Sequence, residues 1–359
     1  MRILFVITGL GLGGAEKQVC LLADKLAKLG HEVLLVAATH GGNVRPKNEI
    51  IKIINLDMRK TIFGFIKSIV SLCGIIKAYK PEVIHGHMFH ANVMVRIANI
   101  FLKRKWKTIC TAHNKNEGGV IRKLLYRFTD KYNDVTTNVS QEALEQFIKD
   151  KAFKKSKSVA VYNGIDTDYF KYDVVSRRNI RQQFDITDGD ILLLAIGRLT
   201  EAKDYPNLIN SFKLLPVCYK LLVLGEGHAR DDIQRIINQN NLSTRVKLLG
   251  AKDDVKQYYS ACDIFVLPSA WEGFGLVVAE AMSCERIAIG TDSGGVKEVI
   301  GDSNFIIPIK DPVALAEKII ETSRLSDSAK SSICARNRSY IISNFSIDNA
   351  VNKWLNIYR

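Results

Sequence analysis

Short apolar runs recur along this chain at the spacing of alternating strands and helices, and they do so in two series. In the first, residues 3–7, 33–37, 83–85, 108–112 and 134–139 read as strands. Between the first two, Val19, Leu22, Ala23, Leu26 and Leu29 share one helical face, and Gly30 ends the helix. Ser140 caps a helix over 141–149, and Asn163-Gly164 marks a turn. A polar segment, 166–190, reads as a connection. The second series then begins at 192–196 and continues at 221–224, 246–248, 264–267 and 287–289. Repeated strand–helix units imply parallel sheets covered by helices. A chain of 359 residues exceeds the usual size of one core. The expectation is an α/β protein of two Rossmann-like domains facing each other across a cleft, with ligands at the C-terminal ends of strands.

The most informative local stretch is Trp271-Glu272-Gly273-Phe274-Gly275-Leu276-Val277-Val278-Ala279-Glu280-Ala281-Met282. The run Ile264 to Leu267, closed by Pro268, is a strand, and Leu276 to Met282 has the apolar density of a buried helix. Glu272 therefore sits in a strand-to-helix loop and Glu280 on the helix. Backbone N–H groups at such a helix start suit an anion. Two carboxylates beside it can hold hydroxyls, as a sugar and a ribose require. A second candidate, Gly197-Arg198-Leu199-Thr200-Glu201-Ala202-Lys203, follows the strand at 192–196, and Pro206 suits the first turn of the next helix. Arg198 and Lys203 can converge on a diphosphate, one as a fork and the other as a point charge.

Gly9-Leu10-Gly11-Leu12-Gly13-Gly14 satisfies the dinucleotide fingerprint G-x-G-x-x-G after a strand. The second strand, however, ends Ala37-Ala38-Thr39-His40, with no carboxylate for a ribose, so NAD is disfavoured. What remains is a close backbone approach to a phosphate or sugar at a helix start.

Together these residues resemble the family 4 glycosyltransferases. The resemblance runs through Gly13-Gly14-Ala15-Glu16, Thr111-Ala112-His113-Asn114, Tyr162 to Asp166, Gly197-Arg198-Leu199 with Lys203, and Leu224-Gly225-Glu226-Gly227. It continues through Glu272 to Glu280 and Ser293-Gly294-Gly295 with Glu298. It implies a retaining GT-B enzyme that uses a nucleoside-diphosphate sugar. Arg198 and Lys203 would bind the diphosphate, Glu280 the ribose, and Glu272 the donor-sugar hydroxyls. His113 would lie beside the donor sugar and the Gly14 backbone beside the phosphate. Candidate catalytic residues are therefore His113, Glu272, Arg198 and Lys203. Gly13, Gly14, Phe274, Gly275, Leu276 and Glu280 join them as substrate-binding residues. The implied domains are 1–165 for the acceptor, 166–340 for the nucleotide sugar, and a C-terminal helix, 341–359, crossing back and packed by Trp354 and Tyr358. Where the family has Cys-Gly-x-Pro, this chain has Cys284-Glu285-Arg286-Ile287.

A departing nucleoside diphosphate gains negative charge, which fixed cations stabilise most in the transition state. Asp166-Thr167-Asp168 and Asp188-Gly189-Asp190 have the spacing of metal-binding pairs but read as turn and cap residues, so no metal and no cofactor are expected. His85 and His87 share a strand face and read as structural or acceptor-lining. The seven cysteines are scattered without C-x-x-C spacing, which points to a reducing compartment without structural zinc.

The +14 formal charge is one-sided: residues 1–165 carry 27 Lys and Arg against 12 acids, the remainder 24 against 25. Clusters lie at 103–107, at Arg122, Lys123, Arg127 and Lys131, and at 149–157. With no nucleic-acid-binding motif beside them, they suggest an anionic membrane surface. The apolar stretch 61–79, interrupted by Lys67 and Lys77, reads as a core helix or a membrane-dipping amphipathic one. The N-terminus enters a strand at once, so no cleavable signal peptide is expected. The resulting expectation is a cytoplasmic enzyme, peripheral on the cytoplasmic face of the inner membrane. It would transfer sugar from a UDP-sugar to a glycan or lipid-linked acceptor in O-antigen or capsule-type polysaccharide assembly. A sugar-nucleotide epimerase or hydrolase of related fold, and a non-catalytic basic binding protein, are the alternatives.

Overall fold

The apolar runs pair side by side, all parallel, in two sheets. The computed structural model describes residues 1–11, 13–102, 104–115 and 117–359. Leu12 of the glycine loop and Lys103 of the first basic cluster lie outside the described residues. The chain divides into two compact units, Met1–Gly164 with Ile347–Arg359, and Ile165–Ser346.

The first unit opens with β1 (Arg2–Ile7), α1 (Gly14–Lys28), β2 (Glu32–Ala37), β3 (Lys52–Asn55), α2 (Ile62–Tyr79) and β4 (Val83–His87). It continues with α3 (Phe89–Phe101), β5 (Lys107–Ala112), α4 (Val120–Thr129), β6 (Val135–Asn138), α5 (Gln141–Lys149) and β7 (Ser158–Ala160). The sheet order is β3-β2-β1-β4-β5-β6-β7. Ile3 to Ile7 are fully buried because β1 is central and helices cover both faces. Ile3, Phe5 and Ile7 pack toward Val19, Leu22 and Leu26 of α1. Leu4 and Val6 pack on the opposite face, with Ile69, Leu72 and Ile76 of α2 and Met94, Val95 and Ala98 of α3. Ser140 accepts a hydrogen bond from the Ala143 N–H and so caps α5.

The second unit comprises α6 (Val174–Gln183), β8 (Ile191–Ile196), α7 (Tyr205–Phe212), β9 (Tyr219–Leu224), α8 (Arg230–Gln239), β10 (Val246–Leu248) and α9 (Lys256–Ala261). It goes on through β11 (Ile264–Leu267), α10 (Leu276–Ser283), β12 (Ile287–Thr291), α11 (Val296–Ile300), β13 (Ile306–Ile307), α12 (Pro312–Ser323) and α13 (Asp327–Phe345). Its sheet runs β10-β9-β8-β11-β12-β13. The order reverses between β8 and β11, the switch point at which α/β sheets open a crevice beyond the strand ends.

Two expectations change. The polar segment 166–190 is not a bare connection. It holds α6, whose Arg177 and Arg181 both donate to Asp263 (2.6 and 3.1 Å), while Asp263 also accepts from the Leu192 N–H. Its polarity reflects this ion-pair network. The return to the first unit begins at Ile347, not 341. Ile341 and Phe345 remain in α13 as buried members of the second unit, and α14 (Ile347–Tyr358) packs Val351, Trp354 and Tyr358 into the first unit's core. Ser346, extended at ψ 150°, separates the two helices. Strands β3, β7 and β13 are absent from the sequence reading because each is a short edge element.

Trp354 is 4% exposed and lies 4.5 Å, centroid to centroid, from the His85 ring. Trp354→Ala should cost about 3–5 kcal/mol of first-unit stability, measured by urea unfolding. A cost below about 1 kcal/mol would show that α14 is not part of that core.

Candidate functional site

The predicted residues fall into two constellations, one in each unit. In the second unit, the loops after β8, β9, β11 and β12 are pressed together at the C-terminal edge of the sheet. Gly197 N–H donates to the Leu224 carbonyl at 3.0 Å, and Leu199 N–H to that of Glu226 at 3.0 Å. Gly225, at φ +142°, packs on the Gly197 carbonyl so closely that a Cβ would stand 1.9 Å from its oxygen. Gly294, at φ +60°, packs on the Glu272 carbonyl in the same way, leaving 2.0 Å. No other residue fits either position.

This clamp brings distant side chains together. Lys203, in the turn after β8, forms an ion pair with Glu272, in the loop after β11. Ser269 Oγ donates to the same carboxylate at 3.4 Å, and the Gly273 N–H to its other oxygen at 3.3 Å. Ala270 N–H donates to the Ala202 carbonyl at 2.9 Å, joining the two loops through backbone as well. Arg198 is exposed on the β8 loop. On α10, Glu280 accepts from the Tyr259 hydroxyl at 2.6 Å. Burial, with the Glu280 charge beside it, pushes the Tyr259 phenol well up, so it stays protonated as a donor.

Gly275, at φ +94°, precedes α10, and Leu276 begins it. Phe274 is 2% exposed and stands edge-on to Phe345 at 5.5 Å, so its ring is part of the core. Asp166 accepts from the Tyr169 N–H, and Asp190 from the Thr187 N–H and hydroxyl. These carboxylates hold turns. The turn at Cys284 to Ile287 is local: Glu285 takes φ +59° and leads directly into β12.

In the first unit, Gly13 caps α1 and Gly14 begins it. His113 follows β5. Its Nε2 meets His87 Nδ1 at 3.1 Å, and its backbone N–H donates to Glu117 at 2.8 Å. Burial lowers His113 from 6.5 to about 4, so the ring is neutral near pH 7. His85 and His87 are pushed well down by burial and by neighbouring imidazoles. His85 is fully engaged: Nδ1 meets the Tyr358 hydroxyl at 2.8 Å and Nε2 that of Thr111 at 2.6 Å. It is a structural residue. His87 Nε2 is buried and has no protein partner among the described residues. Sequence reasoning missed Tyr259, Ser269 and Glu117. Tyr259 supports Glu280 from another helix, and Ser269 supports Glu272 from within the same loop. Glu117, whose carboxyl is raised by burial, ties the His113 backbone to the Tyr126 hydroxyl.

Two family models match the chain in succession: Glycosyltransferase Family 4 over residues 12–169 and Glycosyl transferases group 1 over 176–337. The chain belongs to the family 4 glycosyltransferases, and its two parallel-sheet Rossmann-like units are those of the GT-B fold. It is similar to the N-acetyl-alpha-D-glucosaminyl L-malate synthase of Bacillus anthracis, 30% identical over 55% of this chain and 52% of that protein. It is also similar to the Campylobacter jejuni N-acetylgalactosamine-N,N'-diacetylbacillosaminyl-diphospho-undecaprenol 4-alpha-N-acetylgalactosaminyltransferase, 30% identical over 53% of this chain and 50% of the relative. The matched stretch thus spans about half the length of these curated relatives. Among solved structures, Anabaena HepE in complex with UDP superposes with a TM-score of 0.87 over 99% of both chains at 20% identity.

The buried neutral imidazole of His113 opposes folding in acid. Between pH 6.5 and about 4 the unfolded chain binds a proton at His113 that the folded chain does not, so stability falls as pH is lowered through that window. His113→Asn should flatten the dependence of Tm on pH there. An unchanged slope would place the acid sensitivity elsewhere.

Proposed function

We propose that the protein transfers a sugar from a nucleoside-diphosphate sugar to a glycan or lipid-linked acceptor, with retention of anomeric configuration and without a metal ion. The observation that carries this reading is the cluster at the edge of the second sheet: Arg198 and the Lys203–Glu272 ion pair beyond β8 and β11, with Glu280 on α10. Cations on a rigid loop stabilise a leaving diphosphate as its charge grows, because they need no reorganisation during the reaction. In this reading Arg198 and Lys203 take the diphosphate, Glu280 the ribose and Glu272 the transferred sugar. The backbone at Gly275 and Leu276 lies along the donor. The complex of HepE with UDP supports a uridine donor, and the relative acting on a diphospho-undecaprenol supports a lipid-linked acceptor.

The first unit is assigned the acceptor, while neutral His113 keeps the role implied by the resemblance, beside the donor sugar, and the Gly13-Gly14 backbone the one beside the phosphate. The excess of Lys and Arg in the first 165 residues favours contact with an anionic bilayer, and a setting on the cytoplasmic face in O-antigen or capsule-type assembly fits that surface. An epimerase or hydrolase would act on the same donor without an acceptor, and a binding protein would convert nothing.

Incubation with a panel of labelled nucleoside-diphosphate sugars, with and without a lipid-linked acceptor, separates these outcomes. Acceptor-dependent transfer is expected. Lys203→Ala should lower kcat about 10²–10³-fold, and His113→Ala should lower turnover while donor affinity is kept. Transfer should persist in EDTA, with an unchanged anomeric configuration in the product by NMR. Inversion, or loss of activity in EDTA with rescue by manganese, would refute the mechanism.

A further inference from the structure

The first unit turns an unusual amount of apolar surface outward, and it does so on neighbouring helices. On α4, Val120, Ile121, Leu124, Leu125 and Phe128 are all exposed, Ile121 by 75% and Phe128 by 68%. They recur at the spacing of a single helical stripe, while Tyr126 points inward to Phe89 and Phe153. A helix of a globular protein normally buries its apolar stripe. This one buries Tyr126 and presents the stripe to solvent.

The α2 helix is apolar on both sides. Ile69, Leu72 and Ile76 are buried against the sheet, while Ile62, Phe63, Ile66 and Val70 are exposed, Phe63 by 77%. Among the described residues it is the only helix long and apolar enough to cross a membrane, but its buried side holds it to the sheet. Helix α3 lies against both α2 and α4, and Ile100 and Phe101 at its end are exposed too. Phe65 of α2 packs against both clusters beneath these helices, so α2, α3 and α4 form one continuous layer.

Charge selects the partner. Residues 59–131 carry fifteen Lys and Arg against three acids, Glu82, Glu117 and Asp130. Asp130 is buried, and Glu117 is held by Tyr126 and the His113 N–H. Arg59 and Lys60 precede the exposed start of α2, Lys67 lies on it, and Arg127 and Lys131 stand at the end of α4, all exposed. A second copy of this chain would set these cations against each other. An anionic bilayer neutralises them while its acyl region receives the apolar stripe.

We propose that the outer faces of α2 and α4 insert into the interfacial region of an anionic bilayer, with Arg59, Lys60, Lys67, Arg127 and Lys131 on lipid phosphates. This deepens the membrane contact proposed above and rests on it. Attachment has two parts, one removed by salt and one, from Ile121, Phe128, Phe63 and Ile66, that salt leaves in place.

Co-sedimentation of the full chain with phosphatidylcholine vesicles, with and without phosphatidylglycerol, tests this without donor or acceptor. The protein should bind the anionic vesicles and remain partly bound at high salt. Ile121→Ser with Phe128→Ser should weaken binding about a hundredfold, near tenfold for each apolar side chain withdrawn. Phe63→Ser with Ile66→Ser should do the same from α2, and both double variants should melt as the parent does. Anionic binding that salt abolishes completely and neither pair of substitutions changes would overturn insertion while sparing a purely electrostatic contact. Absence of binding to either vesicle would overturn both. A soluble dimer that the same substitutions dissociate would assign the face to a second copy and overturn the proposal.

Discussion

Backbone packed directly on backbone, at the C-terminal edge of the second sheet, is the constraint on which the candidate site depends. At Gly225 and Gly294 a Cβ would stand 1.9 and 2.0 Å from the carbonyl oxygens of Gly197 and Glu272. The four loops can close on one another only because these positions lack side chains. Closure brings Lys203 to Glu272 across 69 residues of sequence. It also fixes the loops before any ligand arrives, so a donor need not pay the ordering entropy that mobile loops would impose.

The two units treat polarity differently. In the second, the candidate groups are the charged side chains Arg198, Lys203, Glu272 and Glu280, gathered beyond the C-terminal edge of the sheet. In the first, His85, His87 and His113 are buried and neutral, and their hydrogen bonds run to Tyr358, Thr111 and one another. Desolvation decides this in the first unit, because burial disfavours the charged imidazolium. The same unit turns cations and apolar side chains outward on α2 and α4.

Much of the fold was legible because its strands are central and parallel. Buried on both faces, they read as continuous apolar runs such as Ile264 to Leu267. The pair Glu272 and Glu280 was legible because both positions are set by one strand–loop–helix unit. Tyr259 and Ser269 were not. Tyr259 reaches Glu280 by packing of one helix on another, Ser269 reaches Glu272 through the conformation of their shared loop, and neither residue type stands out in a local pattern. The polar stretch 166–190 misled because an ion-paired helix and a solvated connection have the same composition. At Phe274 the sequence leaves the ring's place open, because an aromatic in a glycine-rich loop fits either a ligand or a core, and Phe345, 71 positions away, shows that the ring packs in the core.

By itself the sequence determined the class of fold, the two series of strand–helix units, and the residue types at the candidate site. Periodicity, glycine placement and charge are local properties and survive in one dimension. Only the tertiary structure decided that Lys203 neutralises Glu272, that α14 completes the first core from the far end of the chain, and that α4 turns its apolar stripe outward. The direction of an amphipathic face depends on what else occupies the layer beneath it. On α4 that place was taken by Tyr126, packed among Phe89, Phe147 and Phe153.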